Sequence, residues 1–320
     1  LSSKDQYPYF FRTPPSDAFQ ARAMVSLVQY YGWQNVATIA TTDAYGKAGV
    51  SEFAIAALAA RFTTKGAVDI NTEAQTFAAE AQVLSNAKAK IIIMFTQSAV
   101  SSRILPYLRE VGVGGEGYVF IGADSVAKTD TWSNMVIPST LAAQGVTVDD
   151  IMKGFVGILP GGGDTSASIY TSWLSRWKAQ TPTATVVNGT TVCSQETDDA
   201  QIPVFNRTAY DADPSPTKNH CSGLTNWDDS ISNYAMYAYD ATYAIAFALH
   251  DLIENKKKTT IVGAEFKEAL LNVSFTGLTG PVGFDQNQDR NVGINYELKN
   301  YQVSPLIGRR RLSQTYTGSL

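Results

Sequence analysis

Between residues 36 and 123, four short apolar runs alternate with longer stretches of helical pattern. The runs are VATIAT (36–41), AVDI (67–70), KIIIMFT (90–96) and YVFIGA (118–123). KIIIMFT is apolar at almost every position, and a strand tolerates that only when both of its faces are covered. Short strands separated by helices build right-handed βαβ units and a parallel sheet. The alternation therefore predicts an α/β fold, with one doubly wound lobe over residues 11–148.

The stretches 18–31, 47–62, 74–87 and 99–111 read as the intervening helices, and LAAQGVTV (141–148) reads as one more strand. Asp17-Ala-Phe-Gln20 has the spacing of a capping box, in which an acid caps the helix and a glutamine reaches back to it. Gly32 stands where a glycine commonly ends a helix. In the second half, the loop PGGGD (160–164) leads to a helix over 166–180, and further helices are predicted at 231–254 and 262–272. The tail reads as a turn, a short strand, a polar turn and a longer strand over 293–302. These helices outnumber the strands available to cover them, and helices need an apolar partner. The expectation is that sequence preceding Leu1 supplies it and that apolar surface on the 149–272 helices is otherwise exposed.

Several function classes are disfavoured. The chain carries a net charge of −4, which argues against nucleic acid as the main partner. The longest apolar helix, YAMYAYDATYAIAFALHDLIE, contains Asp240, His250 and Asp251 and reads as a buried helix, not a membrane span. Only two histidines are present, His220 and His250, too few for a histidine metal cluster, and no Ser-His-Asp arrangement suggests itself. Gly112-Val-Gly114-Gly-Glu-Gly117 matches a dinucleotide fingerprint literally, but it follows a helix and precedes a strand, the reverse of what phosphate binding needs. GFDQNQDRN (283–291) lacks calcium-loop spacing and reads as a hairpin turn. No cofactor, metal or enzymatic activity is expected.

In an open parallel sheet, ligands bind beyond the carboxyl ends of the strands. Tyr45 follows the strand 36–41, Asp124 follows the strand 118–123, and Asp17 heads the helix that leads into the first of them. Two carboxylates and an aromatic ring suit a primary ammonium, through charge-assisted hydrogen bonds and cation–π attraction. Each residue also has a plainer reading: Asp17 and Asp124 as helix or turn caps, Tyr45 as loop packing. Their shared position at one crevice favours the binding role.

Cys193 and Cys221 flank a polar segment rich in Asp, Thr, Pro and Asn. Three glycosylation triplets are present, at Asn188, Asn206 and Asn272, and the first two sit in or beside that segment. Such triplets arise by chance as well. The alternative is a secreted, glycosylated loop pinned by one disulfide, which would gain about 3–4 kcal/mol in the chain-entropy model.

YFFRTPPSDAFQARAMVSLVQYYGWQNVATIATTDAYGKAGVSEF, FIGAD and FTGLTGPVGFD together resemble the ligand-binding region of class C G-protein-coupled receptors, in particular the metabotropic glutamate receptors. The wider superfamily includes metabotropic GABA and natriuretic-peptide receptors. The resemblance runs over about residues 1–302, strongest to 148 and clear again at 275–285. It implies a type I periplasmic-binding, or Venus-flytrap, fold with two doubly wound lobes, the first incomplete. On this resemblance 11–148 is the second lobe, 149–275 is the helical part of the first lobe with the cysteine loop 193–221, and 276–320 returns to the second lobe and forms the tail.

The resemblance also implies that Asp17, Tyr45 and Asp124 hold a ligand's α-amino group. Where the glutamate receptors carry an acid after the KIIIMFT strand, Gln97 is the nearest residue here. The positions that hold an α-carboxylate and a distal acid would precede Leu1, and a distal lysine would fall near Lys258. The implied function is extracellular binding of a small amino-acid-like ligand by lobe closure, in a receptor at the plasma membrane. Membrane helices and an effector would belong to the full-length protein, and the first lobe would mediate dimerisation. A solute-binding protein of an amino-acid transporter and the sensor of a guanylate-cyclase-type receptor are the alternatives.

Overall fold

The computed structural model describes residues 4–127, 132, 134–177, 231 and 233–301 with their side chains. It gives backbone alone for 178, 184–187, 190–193, 204–205, 221–222, 302, 311–312 and 316–317. Two compact units emerge: 15–161 with 294–320, and 1–14 with 162–293.

The first of these units is built on α1 (Asp17–Tyr30), β1 (Val36–Thr41), α2 (Ala44–Ala59), β2 (Thr64–Ile70), α3 (Ala78–Ala87), β3 (Ile91–Phe95), α4 (Ser98–Glu110) and β4 (Val119–Gly122). Two short helices follow, α5 (Ser139–Ala142) and α6 (Val148–Met152), and then β5 (Phe155–Pro160). The sheet order is β2-β1-β3-β4-β5, all parallel, and a late strand, residues 296–302, pairs antiparallel with β5. The fold is α/β, as the strand–helix alternation requires.

β3 shows why its sequence is apolar throughout. Ile92 and Met94 face one core, with Ile104, Leu108 and Phe120. Ile91, Ile93 and Phe95 face the other, with Met24, Val28 and Phe53. Successive side chains point to opposite faces, and here both faces are covered by helices. α1 ends on Gly32, whose φ of 66° is left-handed. Trp33 N–H then donates to Val28 O (3.0 Å) and Gly32 N–H to Gln29 O (2.9 Å), the bonding of a Schellman motif.

Two expectations are corrected in this unit. LAAQGVTV (141–148) is not a strand. Its residues form α5, a turn through Gly145 (φ 73°) and the start of α6. A capping box at Thr147 fixes α6, in which the Thr147 hydroxyl and the Asp150 carboxylate satisfy each other's backbone N–H. The strand beside β4 is instead FVGILP, β5, which lies between β4 and the 296–302 strand. The capping box at Asp17–Gln20 is also absent. The cap position of α1 is Ser16, with Asp17 already the first helical residue, and the Ser16 side chain makes no capping hydrogen bond. The boundaries between the compact units fall near 161 and 293.

The second unit carries α7 (Ser168–Lys178), α8 (Asn233–His250), one π-helical turn over 251–255, α9 (Gly263–Leu271) and a hairpin of β6 (Ser274–Gly277) and β7 (Gly280–Gly283). Ala244, Ala248 and Leu252 of α8 and its extension pack on Ala269 and Leu270 of α9, with Phe275 and Phe284 at the margin. A buried polar cluster joins α8 to the hairpin. Asp240 accepts from Leu278 N–H (2.7 Å) and Thr279 N–H (3.0 Å), and Arg290 lies 4.0 Å from the same carboxylate. Both charged residues are at most 1% exposed.

α8 is a helix as read, but it is not buried throughout: Tyr243, Ile245 and Phe247 are between 39% and 46% exposed. Among the described residues, no helix is long and apolar enough to cross a membrane. Asn188, Asn206, His220 and the side chains of Cys193 and Cys221 lie outside the described residues.

Candidate functional site

β1, β3 and β4 are neighbours in the sheet, so the segments that leave their carboxyl ends converge. Each contributes one part of a polar cluster.

β1 ends at Thr41, and the chain turns directly into α2. Asp43 caps this helix: its carboxylate accepts Gly46 N–H (2.8 Å) and the Thr41 hydroxyl (2.8 Å). These bonds, the Gly46 contact foremost, hold the Asp43 carboxyl below the usual carboxylate range. Gly46 is required by close approach, since a Cβ there would sit 2.1 Å from Thr41 O. The tight turn places Tyr45 in the first turn of α2 and directs its ring back toward the sheet edge.

β4 ends at Gly122, and Ala123 N–H remains bonded to Met94 O of β3 (3.1 Å). The chain then turns at Asp124 and Ser125. The Tyr45 hydroxyl lies 2.7 Å from Ser125 Oγ and 3.5 Å from Asp124 Oδ1. Ser125 Oγ donates to Thr96 O, the residue after β3, over 2.8 Å. From α1, the buried Gln20 donates its amide to Ile158 O (2.8 Å) and to Asp124 Oδ1 (3.3 Å).

Burial, chiefly, and then the negative charges of Asp124 and Asp17 push the Tyr45 phenol far above its ordinary value. The phenol therefore stays neutral at any physiological pH. The two carboxylates that oppose its ionisation make this edge of the sheet electronegative. Such a place resists another negative charge and favours a positive one.

Tyr45 and Asp124 thus stand together, and Asp17 is close enough for its charge to act on Tyr45. Asp17 itself is exposed in the first turn of α1. Gln97 stands apart from this trio. It donates to Asp43 Oδ2 (2.8 Å) and lines a groove of about 660 Å³ with Thr72, Glu73, Arg103 and Asn134. Arg103 holds the rim of that groove by donating to Thr72 O and Ala74 O, both at 2.6 Å.

Sequence reasoning missed Ser125, Thr96 and Asp43, and it gave Gln20 a different task. Ser125 adjoins Asp124, so a strand-end hydroxyl was a signal in principle. Asp43 sits three residues before Gly46 at a strand–helix turn, a cap position by pattern. Among the described residues, no cluster of His, Cys, Asp and Glu could hold a metal ion.

The chain matches the model of the receptor family ligand binding region over residues 1–304. It is 21% identical over 322 residues to glutamate receptor 3.4 of Arabidopsis thaliana, covering 93% of this chain and 28% of that protein. It is 26% identical over 325 residues to metabotropic glutamate receptor 8 of Rattus norvegicus, covering 95% of this chain and 33% of that protein. The human receptor of the same name gives the same figures. The chain therefore spans about a third or less of the length of these relatives. The family is defined by ligand binding to receptors, not by a catalysed reaction, and the chain belongs to it: it is a member of the receptor family ligand binding region, the ANF receptor family.

Proposed function

We propose that this chain is the extracellular ligand-binding region of a membrane receptor and that it binds a small amino-acid-like ligand through the ligand's primary ammonium. The observation that carries this reading is the convergence of Tyr45 and Asp124 at the carboxyl ends of β1 and β4, with the charge of Asp17 acting on the same phenol. An ammonium brings three donors and a positive charge. Asp124 and Asp17 offer charge-assisted acceptors, and the Tyr45 ring and hydroxyl offer a π face and a lone pair. Amino acids are the ligand class to test first, because the relatives are named glutamate receptors.

Binding would act by population shift. A ligand held at this wall that gains further contacts in a closed arrangement of the two lobes biases the equilibrium toward closure by its differential affinity. Downstream membrane helices and an effector would read that bias, and dimerisation through the first lobe would couple two such regions.

The test is a thermal-shift screen of the twenty amino acids and GABA, with Asp124→Ala and Tyr45→Ala as controls. A ligand at a hundred times its Kd adds about 2.7 kcal/mol of stability. A shift seen with one ligand and lost in both variants supports the reading. A folded protein that responds to none of them rejects it in favour of a peptide or another non-amine ligand.

A further inference from the structure

We infer that Ser125 is a positioning residue for this site: it takes the Tyr45 hydroxyl proton and so turns the phenol oxygen into an acceptor for the ligand's ammonium. The inference rests on the ammonium-binding reading above and deepens it.

The number of hydroxyl protons sets the direction of these bonds. A serine or tyrosine hydroxyl has one proton to donate and lone pairs with which to accept. Thr96 O is a carbonyl and can only accept, so over the 2.8 Å between them the proton belongs to Ser125. Ser125 has then spent its proton. The 2.7 Å contact between Tyr45 Oη and Ser125 Oγ must carry the proton of Tyr45. The remaining contact of the phenol, 3.5 Å to Asp124 Oδ1, is at the outer limit of a hydrogen bond.

The direction of this chain runs from Tyr45 to Ser125 to the end of β3, and it is set by a backbone carbonyl that cannot reverse it. Ala123 N–H on Met94 O (3.1 Å) fixes the β4 end against β3, so the serine is held at the required place.

The consequence concerns recognition. An ammonium has only donors. A tyrosine whose proton were free would present a donor part of the time and would turn toward Asp124, competing with the ligand for that carboxylate. With the proton committed to Ser125, the phenol lone pairs and the Asp124 oxygens both face the ligand as acceptors. Ser125 need not touch the ligand to affect its affinity.

The test is a double-mutant cycle on the full-length protein, read by isothermal titration with L-glutamate first and then with the other amino acids of the screen. Ser125→Ala is expected to weaken binding about tenfold, the scale of one hydrogen bond to a charged group. Tyr45→Phe is expected to cost a similar factor, and the double variant no more than Tyr45→Phe alone, because the serine acts only through the phenol. Ser125→Thr restores the hydroxyl and the affinity. Ser125→Gly removes the same hydroxyl without leaving a methyl group and serves as a second probe, with the unliganded Tm of each variant reporting folding.

Additive losses overturn the inference, as do Ser125→Ala and Ser125→Gly that bind like the parent while Asp124→Asn abolishes binding. In those cases the ammonium site stands. Binding that survives Asp124→Asn, or no binding by any amino acid, overturns the site and the inference together.

Discussion

Gln97 donates its side-chain amide to the Asp43 carboxylate over 2.8 Å, tying the residue that follows β3 to the cap of α2. Asp43 thereby joins three segments: Thr41 at the end of β1, Gly46 in the first turn of α2, and Gln97. It is the anchor from which Tyr45, two residues on, is aimed.

Replacing the cap tests this. Asp43→Ala should destabilise the protein by about 1 kcal/mol at neutral pH, the usual cost of losing an N-cap. Asp43→Asn should cost less, because an asparagine still caps. The pH dependence separates the two effects. The folded carboxyl titrates below its unfolded value, with the Gly46 hydrogen bond as the largest cause. Its charge therefore contributes stability that is fully present above about pH 4 and is lost as pH falls through the lower folded value. Thermal unfolding followed by circular dichroism should show the difference between parent and Asp43→Asn shrinking on acidification through that window. A difference that is flat with pH would remove the charge of Asp43 from the account.

Gly46→Ala asks whether the approach of α2 to β1 positions Tyr45. The added Cβ would meet Thr41 O at 2.1 Å and Thr41 Oγ1 at 2.6 Å. The first of these is backbone, so helix and strand must separate. Overpacking of this kind costs about 1–3 kcal/mol. The phenol should also be displaced from Ser125, so the amino-acid thermal shift should fall by more than the loss of stability explains. A variant that keeps both its Tm and its ligand response would mean that the turn does not set the tyrosine.

The parts of this fold legible in the sequence were those with a strong period. The apolar runs at 36–41, 90–96 and 118–123 mark buried parallel strands, and their carboxyl ends mark Tyr45 and Asp124 as neighbours before any coordinate is known. What could not be read was local competition. Pro15, Ser16 and Asp17 are all acceptable around a helix start, and pattern alone does not say which residue caps. Gln20 looked like a capping partner for Asp17 because spacing is visible, whereas its bonds to Ile158 O and Asp124 cross 138 and 104 residues and are not. LAAQGVTV is as apolar as a strand, but Gly145 and the Thr147–Asp150 box break it into helices. β5 contains Gly157 and ends on Pro160, residues that normally demote a strand. Ser125 and Thr96 are ordinary hydroxyl residues until the sheet order brings their segments together.

Asn272 lies exposed at the end of α9, with Ser274 of its Asn-Val-Ser triplet also exposed at the start of β6. If this face travels through a secretory compartment, it is open to glycosylation. Expression in a eukaryotic secreting host should yield a protein that loses one glycan on Asn272→Gln, seen as a faster gel band and as a mass difference removed by glycosidase. An unmodified Asn272 in protein recovered from the medium would leave this surface covered or out of reach of the transferase.

Asp240 tests the joint between α8 and the β6–β7 hairpin. Its carboxylate accepts the N–H groups of Leu278 and Thr279 and the Thr279 hydroxyl, and Arg290 donates to that hydroxyl and to Thr279 O and Pro281 O. Asp240→Ala would leave two buried N–H groups without their acceptor and a buried guanidinium without its counter-charge. Removing one partner of such a buried pair costs about 3–5 kcal/mol. Asp240→Asn keeps one acceptor oxygen and should fall between the parent and Asp240→Ala. The loss should be local before it is global, because the hairpin is held to α8 through this carboxylate. Hydrogen exchange at the Leu278 and Thr279 amides should therefore accelerate strongly in Asp240→Ala, while the amides of β1 and β3 keep their protection. Equal acceleration in both units would mean that the protein unfolds as one cooperative block and that the hairpin joint is not a separate element.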